Sequence, residues 1–142
     1  MEKSRKHVRV VMDTSVCLAA LLSESGGSAA VLEKVIEQEV FNFYTEDIIS
    51  ELQEILKRPK FELAKETQTH FTHIVQESSF EVRQLQDFKI QKCRDPKDDI
   101  FLSLANQIEA DFLVSLDNDL LVIGRLGNTK IVTPGEFLKS VL

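Results

Sequence analysis

The chain contains no tryptophan and one tyrosine, Tyr44. A surface of several aromatic platforms for stacking nucleobases is therefore not evident. The two cysteines, Cys17 and Cys93, have neither metal-ligand nor redox spacing. Cys17 lies in an apolar stretch and is expected as a core thiol, and no disulfide is expected in a reducing compartment. No apolar run approaches the length of a membrane span, and residues 1–7 hold no hydrophobic signal region and lead straight into a short strand. The expectation is a cytoplasmic protein without a membrane partner. Histidine is also scarce. His70 and His73 stand three apart on an expected helix, but among Thr, Gln and Glu they read as a solvated face, and His7 falls in an expected frayed terminus. No histidine is placed to act as a general base. Internal repeats, low-complexity stretches and long linkers are absent.

What remains is an ordinary globular composition of 142 residues, 43% hydrophobic and 28% charged. This is most simply one domain over 1–142, large enough to bury a core without disulfide or metal staples. The net charge of −6 argues against a protein that coats itself with nucleic acid. The bases are nevertheless grouped. Lys57, Arg58 and Lys60 form one cluster, and Lys89, Lys92, Arg94 and Lys97 form another just before Asp98. Two basic groups around an acidic centre suit a phosphodiester substrate; each group alone reads equally well as solvated surface.

Apolar periodicity alternates between strand and helix along the chain. Residues 8–12 are a continuous β-branched run, as in a central parallel strand. Helices are expected over 16–22, 29–38, from Thr45 to before Pro59, and 61–79. Strands are expected over 40–44, 80–85, 112–116 and 130–132, with a helix opening at Asp98, a short one over 119–123 and a closing one at Pro134. Phe41, Phe101 and Phe112 are expected in the core. The pattern predicts an α/β fold, a three-layer αβα sandwich around a central parallel sheet of four or five strands.

Four carboxylates recur at the ends of these apolar segments: Asp13, Glu51, Asp98 and Asp117. In open α/β sheets ligands bind beyond the carboxyl ends of the strands. Several acids at that edge would repel one another, and a divalent cation with oxygen ligands relieves the repulsion. Asp13 follows the first strand; its competing role is to cap the next helix, which Thr14 or Ser15 could also do. Glu51 lies about 40° from Ile55 on a helical wheel, at the border of the buried face. In the run Asp95-Pro96-Lys97-Asp98-Asp99 one acid suffices for capping. Asp98 aligns with Leu102 and Ala105 and is chosen as ligand, with Asp99, on the side of Ser103 and Asn106, as a supporting or solvated residue. Asp117 follows the strand at 112–116, Asp119 supplies a second ligand or a cap, and Ser115 lines the same pocket. Such a pocket holds one or two Mg²⁺ or Mn²⁺ ions, which points to metal-assisted phosphodiester hydrolysis.

The sequence resembles PIN-domain ribonucleases over nearly its whole length. The resemblance rests on Val10-Val11-Met12-Asp13-Thr14-Ser15, on Ser50-Glu51-Leu52 through Leu56, on Arg94 to Asp99 with Phe101-Leu102-Ser103-Leu104-Ala105, and on Leu113 to Leu121. Ile131 to Leu138 resembles the ending of the subgroup assigned to toxins of toxin–antitoxin pairs, similar to VapC proteins. It implies Mg²⁺- or Mn²⁺-dependent cleavage of single-stranded RNA, with Asp13, Glu51, Asp98 and Asp117 as metal ligands and Thr14 or Ser15 and Asp119 in support. It also implies a homodimer and an antitoxin partner. Where the subgroup reads Asp-Pro-Asp-Asp, this chain reads Asp-Pro-Lys-Asp-Asp; the family acid falls on Asp98, Asp99 could substitute, and Lys97 would sit close to metal or phosphate.

Two other classes fit the sequence less well. A phosphotransfer receiver needs an acidic pair near the first strand and a lysine after the last, and neither is present. A catalytically silent PIN module that binds RNA or protein has no reason to keep mutually repelling carboxylates, and metal binding separates it from the nuclease.

Overall fold

The computed structural model describes residues 7–141; the charged lead-in at residues 1–6 lies outside the described residues. Five parallel strands, β1 (Val8–Met12), β2 (Val40–Tyr44), β3 (Phe80–Glu81), β4 (Phe112–Val114) and β6 (Thr129–Val132), share one sheet with an antiparallel edge strand, β5 (Arg125–Leu126). Their order is β3-β2-β1-β4-β6-β5. The parallel part matches expectation. The sixth strand is two residues long, too short for a periodic signal, and pairs with β6 across a tight turn in which Gly127 has φ 58°.

Helices α1 (Thr14–Leu22), α2 (Gly27–Ile36), α3 (Glu46–Leu56), α4 (Lys65–Glu77), α5 (Asp99–Ile108), α6 (Asn118–Leu121) and α7 (Pro134–Ser140) connect the strands. Val10, Val11 and Met12 are buried in succession, as are Leu113 and Val114. Neighbouring residues of a strand point to opposite faces, so both faces of the sheet are covered and the layers are helix, sheet, helix. No single helix among the described residues is long and apolar enough to cross a membrane. Thr45 accepts from the Ile48 N–H to start α3, and Thr133 and Glu136 form a reciprocal cap at α7 behind Pro134.

The structure corrects several local expectations. The helix expected over 61–79 is shorter, because Pro59–Phe61 forms a 3₁₀ turn closed by Glu62 at φ 50°. β3 ends at Glu81 rather than 85, and β4 ends at Val114 rather than 116. Leu116 is 47% exposed, since side-chain hydroxyls replace the ladder there: its N–H donates to Ser15 Oγ at 3.1 Å, and that of Asp117 to Ser115 Oγ at 2.8 Å. Phe101 is core, but Phe112 is only partly buried, edge-on to Phe137 with centroids 5.2 Å apart. Phe41 is not core either. On β2 the inward positions belong to Val40, Asn42 and Tyr44, and Phe41 lies half-buried against Phe80 and His7, whose ring stacks on it at 4.1 Å. His7 is therefore packed rather than frayed.

The polar side of α5 is not simply solvated. Ser103 Oγ accepts from the Ile90 N–H, Asn106 donates to the Phe88 carbonyl and Gln107 to that of Arg83. The segment from 83 to 93 lacks a ladder of its own, and this helix supplies partners for its backbone.

The topology reverses at β1. The chain leaves β1 towards β2 and β3 on one side, then returns to place β4 on the other. That reversal opens a crevice at the carboxyl ends of β1 and β4. Buried Asn42 secures the end of β1 there: the β1–β2 register reaches Val10↔Asn42, and beyond it the Met12 N–H donates to Asn42 Oδ1 at 3.1 Å. Asn42→Ala leaves that N–H unpaired and is expected to cost about 1–3 kcal/mol in urea or guanidinium unfolding; a loss below about 0.5 kcal/mol would show that the side chain is dispensable at the strand end.

Candidate functional site

Asp13 directly follows β1, Asp117 lies just beyond β4, Asp98 ends the 3₁₀ turn Pro96–Asp98, and Glu51 projects from α3. All four line one cleft of about 400 Å³. A wider groove of about 620 Å³ lies between Thr45–Asp47 and Glu81–Gln84, but no close carboxylate group lines it. Among the described residues one such group occurs: an oxygen from each of Asp98, Asp117 and Asp119 lies within 4.8 Å of the others.

Asp13 is 3% exposed and densely bonded. Its Oδ1 accepts from the Ser15 and Val16 N–H groups and from Ser15 Oγ, and its Oδ2 accepts from the fully buried Ser115 Oγ. It therefore does cap α1, and it lines the cleft as well. Thr14 and Ser15 do not take the capping role. Thr14 Oγ1 donates to Glu51 Oε2 at 2.7 Å, and Ser15 Oγ joins Asp13 to the Leu116 N–H. The hydroxyl pair after the first strand thus ties three segments together: the α1 terminus, α3 and the loop after β4.

Asp98 and Asp99 diverge sharply. Asp98 is 9% exposed and lines the cleft. Asp99 Oδ1 accepts from the N–H groups of Lys92 and Cys93 at 3.0 and 2.8 Å, holding the preceding loop outside the acid group. Asp117 Oδ1 accepts from the Asp119 N–H, starting the short α6, and Asp119 pairs with Arg94 at 3.1 Å. Of the two basic clusters only Arg58, Lys60 and Lys97 line the cleft. His70 and His73 are exposed on α4, away from it.

Burial and mutual repulsion shape the protonation of the site. Two unit charges about 5 Å apart repel by on the order of 3 kcal/mol at an effective dielectric near 20. Burial raises the Asp13 carboxyl above its usual range, against the pull of the Ser115 and Ser15 hydrogen bonds. Burial likewise raises Glu51, partly offset by Thr14 and by the charge of Lys97. Asp98 is pushed up to about 7 by burial first, then by the charges of Asp117 and Asp95 and by a hydrogen bond shared with Asp117. For Asp99 burial acts upward, but the Lys92 and Cys93 N–H groups outweigh it and lower the carboxyl.

Asp95, Arg58, Lys60 and Phe61 line the cleft without having been picked out as site residues from the sequence. The available signal was the first basic cluster and the acid two residues before Lys97. The donors in the cleft are carboxylate and hydroxyl oxygens, with no Cys or His among the lining residues. That set fits a hard divalent cation such as Mg²⁺ or Mn²⁺ and does not fit a thiophilic metal.

Residues 9–119 match the family model described as the PIN domain. An uncharacterised protein of Methanocaldococcus jannaschii, MJ1680, is 26% identical over 150 residues, spanning 99% of this chain and 96% of the relative. Among solved structures, Mycobacterium tuberculosis VapC20, a toxin that cleaves the sarcin-ricin loop, is similar with a TM-score of 0.58 and 10% identity, over 82% of this chain and 96% of that one. PAE2754 of Pyrobaculum aerophilum is similar with a TM-score of 0.63 and 14% identity, over 96% and 98%. At these identities the two structures speak for the fold.

The raised Asp98 carboxyl makes a signed prediction. Between an unfolded value near 4 and the folded value of about 7, the folded state holds the extra proton, so its contribution to stability falls as pH rises through that window. Without divalent metal, wild type is expected to lose on the order of 2 kcal/mol relative to Asp98→Asn between pH 4 and 7, read by denaturant unfolding. A difference independent of pH would mean that Asp98 is not held protonated by its neighbours.

Proposed function

Because this chain belongs to the PIN-domain family, we propose that it is a divalent-metal-dependent endoribonuclease, one domain over residues 1–142, acting on single-stranded RNA in the cytoplasm. The observation that carries this reading is the convergence of Asp13, Glu51, Asp98 and Asp117 on one cleft at the point where the strand order reverses. The resemblance to VapC20, itself a toxin, extends the proposal to the toxin of a toxin–antitoxin pair, working as a homodimer and inhibited by an antitoxin protein.

Asp13, Glu51, Asp98 and Asp117 would hold Mg²⁺ or Mn²⁺, with Asp119 as a further ligand. Bound cations of this kind neutralise phosphate charge and make a water molecule more acidic. The chain's own residues supply order. Ser15 and Ser115 each donate to one oxygen of Asp13, so its carboxylate is oriented before substrate binds. Thr14 holds Glu51, the acid on the longest side chain of the four, towards the first strand. Asp99 keeps the loop before Asp98 in place without entering the cleft. Asp98 would have to give up the proton that its surroundings hold near neutral pH in order to bind a cation, so cleavage is expected to rise between pH 6 and 8.

The test is cleavage of a mixed-sequence single-stranded RNA with and without Mn²⁺. Wild type is expected to cut only with metal, and Asp13→Asn to lose more activity than the roughly 10–100-fold typical of an outer-shell partner. Thr14→Val is expected to fall within that range, with its fold retained by circular dichroism. Equal rates in wild type and Asp13→Asn would remove Asp13 from the site, and no cleavage by folded wild type on any RNA while it still binds RNA or protein would leave a silent binding module instead.

A further inference from the structure

Acids do not line the cleft alone. Arg58, Lys60 and Phe61 stand on the turn that follows α3, and Lys97 stands on the turn that precedes α5. The first turn is built to hold its shape. Pro59 fixes one backbone angle, the Phe61 N–H donates to the Arg58 carbonyl at 3.1 Å, and the Glu62 N–H donates to that of Pro59 at 3.0 Å. Glu62 closes it in the left-handed region at φ 50°, an uncommon conformation for a non-glycine residue.

Six carboxylates also line this cleft: Asp13, Glu51, Glu54, Asp95, Asp98 and Asp117. Cations with no other task would be expected to pair with them. Among the described residues, none of Arg58, Lys60 and Lys97 makes an ion pair. Lys60 instead holds its ammonium 5.1 Å from the centre of the Phe61 ring, within cation–π range. Arg58 and Lys60 are exposed, and Phe61 is half-buried. The turn therefore presents two cations to the cleft, one of them restrained, and neither neutralised. Restraint before binding lowers the entropic cost of holding an anion.

We propose that Arg58 and Lys60, with Lys60 restrained by the Phe61 ring, form a phosphate subsite for a nucleotide flanking the scissile bond of single-stranded RNA. The proposal rests on the nuclease reading above. The reacting phosphate belongs beside the carboxylates and the cation they hold. The charges of a continuing RNA strand need partners further along, and the Arg58–Phe61 turn offers them. In this arrangement Phe61 is a positioning residue, not a stacking platform.

The experiment measures binding, so that it does not depend on turnover. A fluorescein-labelled twelve-nucleotide RNA of mixed sequence is titrated with Asp13→Asn protein in Mg²⁺ at several salt concentrations. Adding Arg58→Gln or Lys60→Gln is expected to weaken binding several-fold and to make the plot of log K against log salt shallower by about 0.7 for each. Lys60→Arg is expected to keep the parent slope. Phe61→Leu is expected to reproduce part of the Lys60→Gln loss, and the double variant to lose no more than Lys60→Gln alone. Slopes and affinities unchanged from the parent in both Arg58→Gln and Lys60→Gln overturn the subsite. Fully additive losses at Phe61 and Lys60 overturn the restraint. Shifted slopes together with absent cleavage in wild type would instead sink the nuclease reading and leave the subsite standing.

Discussion

Like charges gathered at one sheet edge are the constraint on which the rest of this structure depends. Carboxylate oxygens of Asp98, Asp117 and Asp119 lie within 4.8 Å of one another, and Asp13 and Glu51 line the same cleft. Left to themselves these groups would move apart. They are held by a register that leaves little freedom: β4 pairs with β1 from Val10↔Phe112 to Met12↔Val114, so the two strand ends from which Asp13 and Asp117 follow are adjacent. Burial of Val10, Val11, Met12, Leu113 and Val114 on both faces fixes that pairing, because a slip by one residue would exchange every side chain between faces.

Hydroxyl groups then mediate between the acids and the frame. Ser15, Ser115 and Thr14 each donate to a cleft carboxylate, and Ser15 and Ser115 also accept backbone N–H groups of the strand-like stretch after β4. The Ser115 N–H still donates to the Val132 carbonyl at 2.9 Å, and the stretch at Leu116 and Asp117 leaves the sheet at little cost because these hydroxyls accept its N–H groups. The same groups that keep the carboxylates oriented thus also determine where β4 stops. Stability and site geometry are coupled through one small polar network, and its members cannot be replaced singly without leaving a buried polar atom unpaired.

The cations form a second layer around this centre. Arg94 is bound to Asp119, Lys97 eases the ionisation of Glu51, and among the described residues Arg58 and Lys60 make no ion pair on their turn. The cleft is therefore lined by bases as well as acids, so a net charge of −6 is compatible with a polyanionic substrate.

Much of this was legible in the sequence. Continuous β-branched runs, capping residues and helical periodicity are local signals, and they carried the strand–helix alternation, the parallel sheet and the four acids that end apolar segments. That Asp98 and Asp99 point to different sides was also readable, since a helical step of about 100° separates an inward from a polar side. Other features depended on contacts between distant segments. Asp99 turned out to bind the N–H groups of residues 92 and 93, Asn42 to secure Met12, and Ser115 to bond Asp13 across 102 positions. The first basic cluster split for the same reason, Arg58 and Lys60 facing the cleft and Lys57 a separate cavity, according to how the turn after α3 closes. Side-chain type and period are properties of a short stretch, so the sequence by itself determined which elements form and which residues can carry charge to the sheet edge. Partner, burial and proton affinity are set by what another part of the chain brings alongside, and only the tertiary structure decided those.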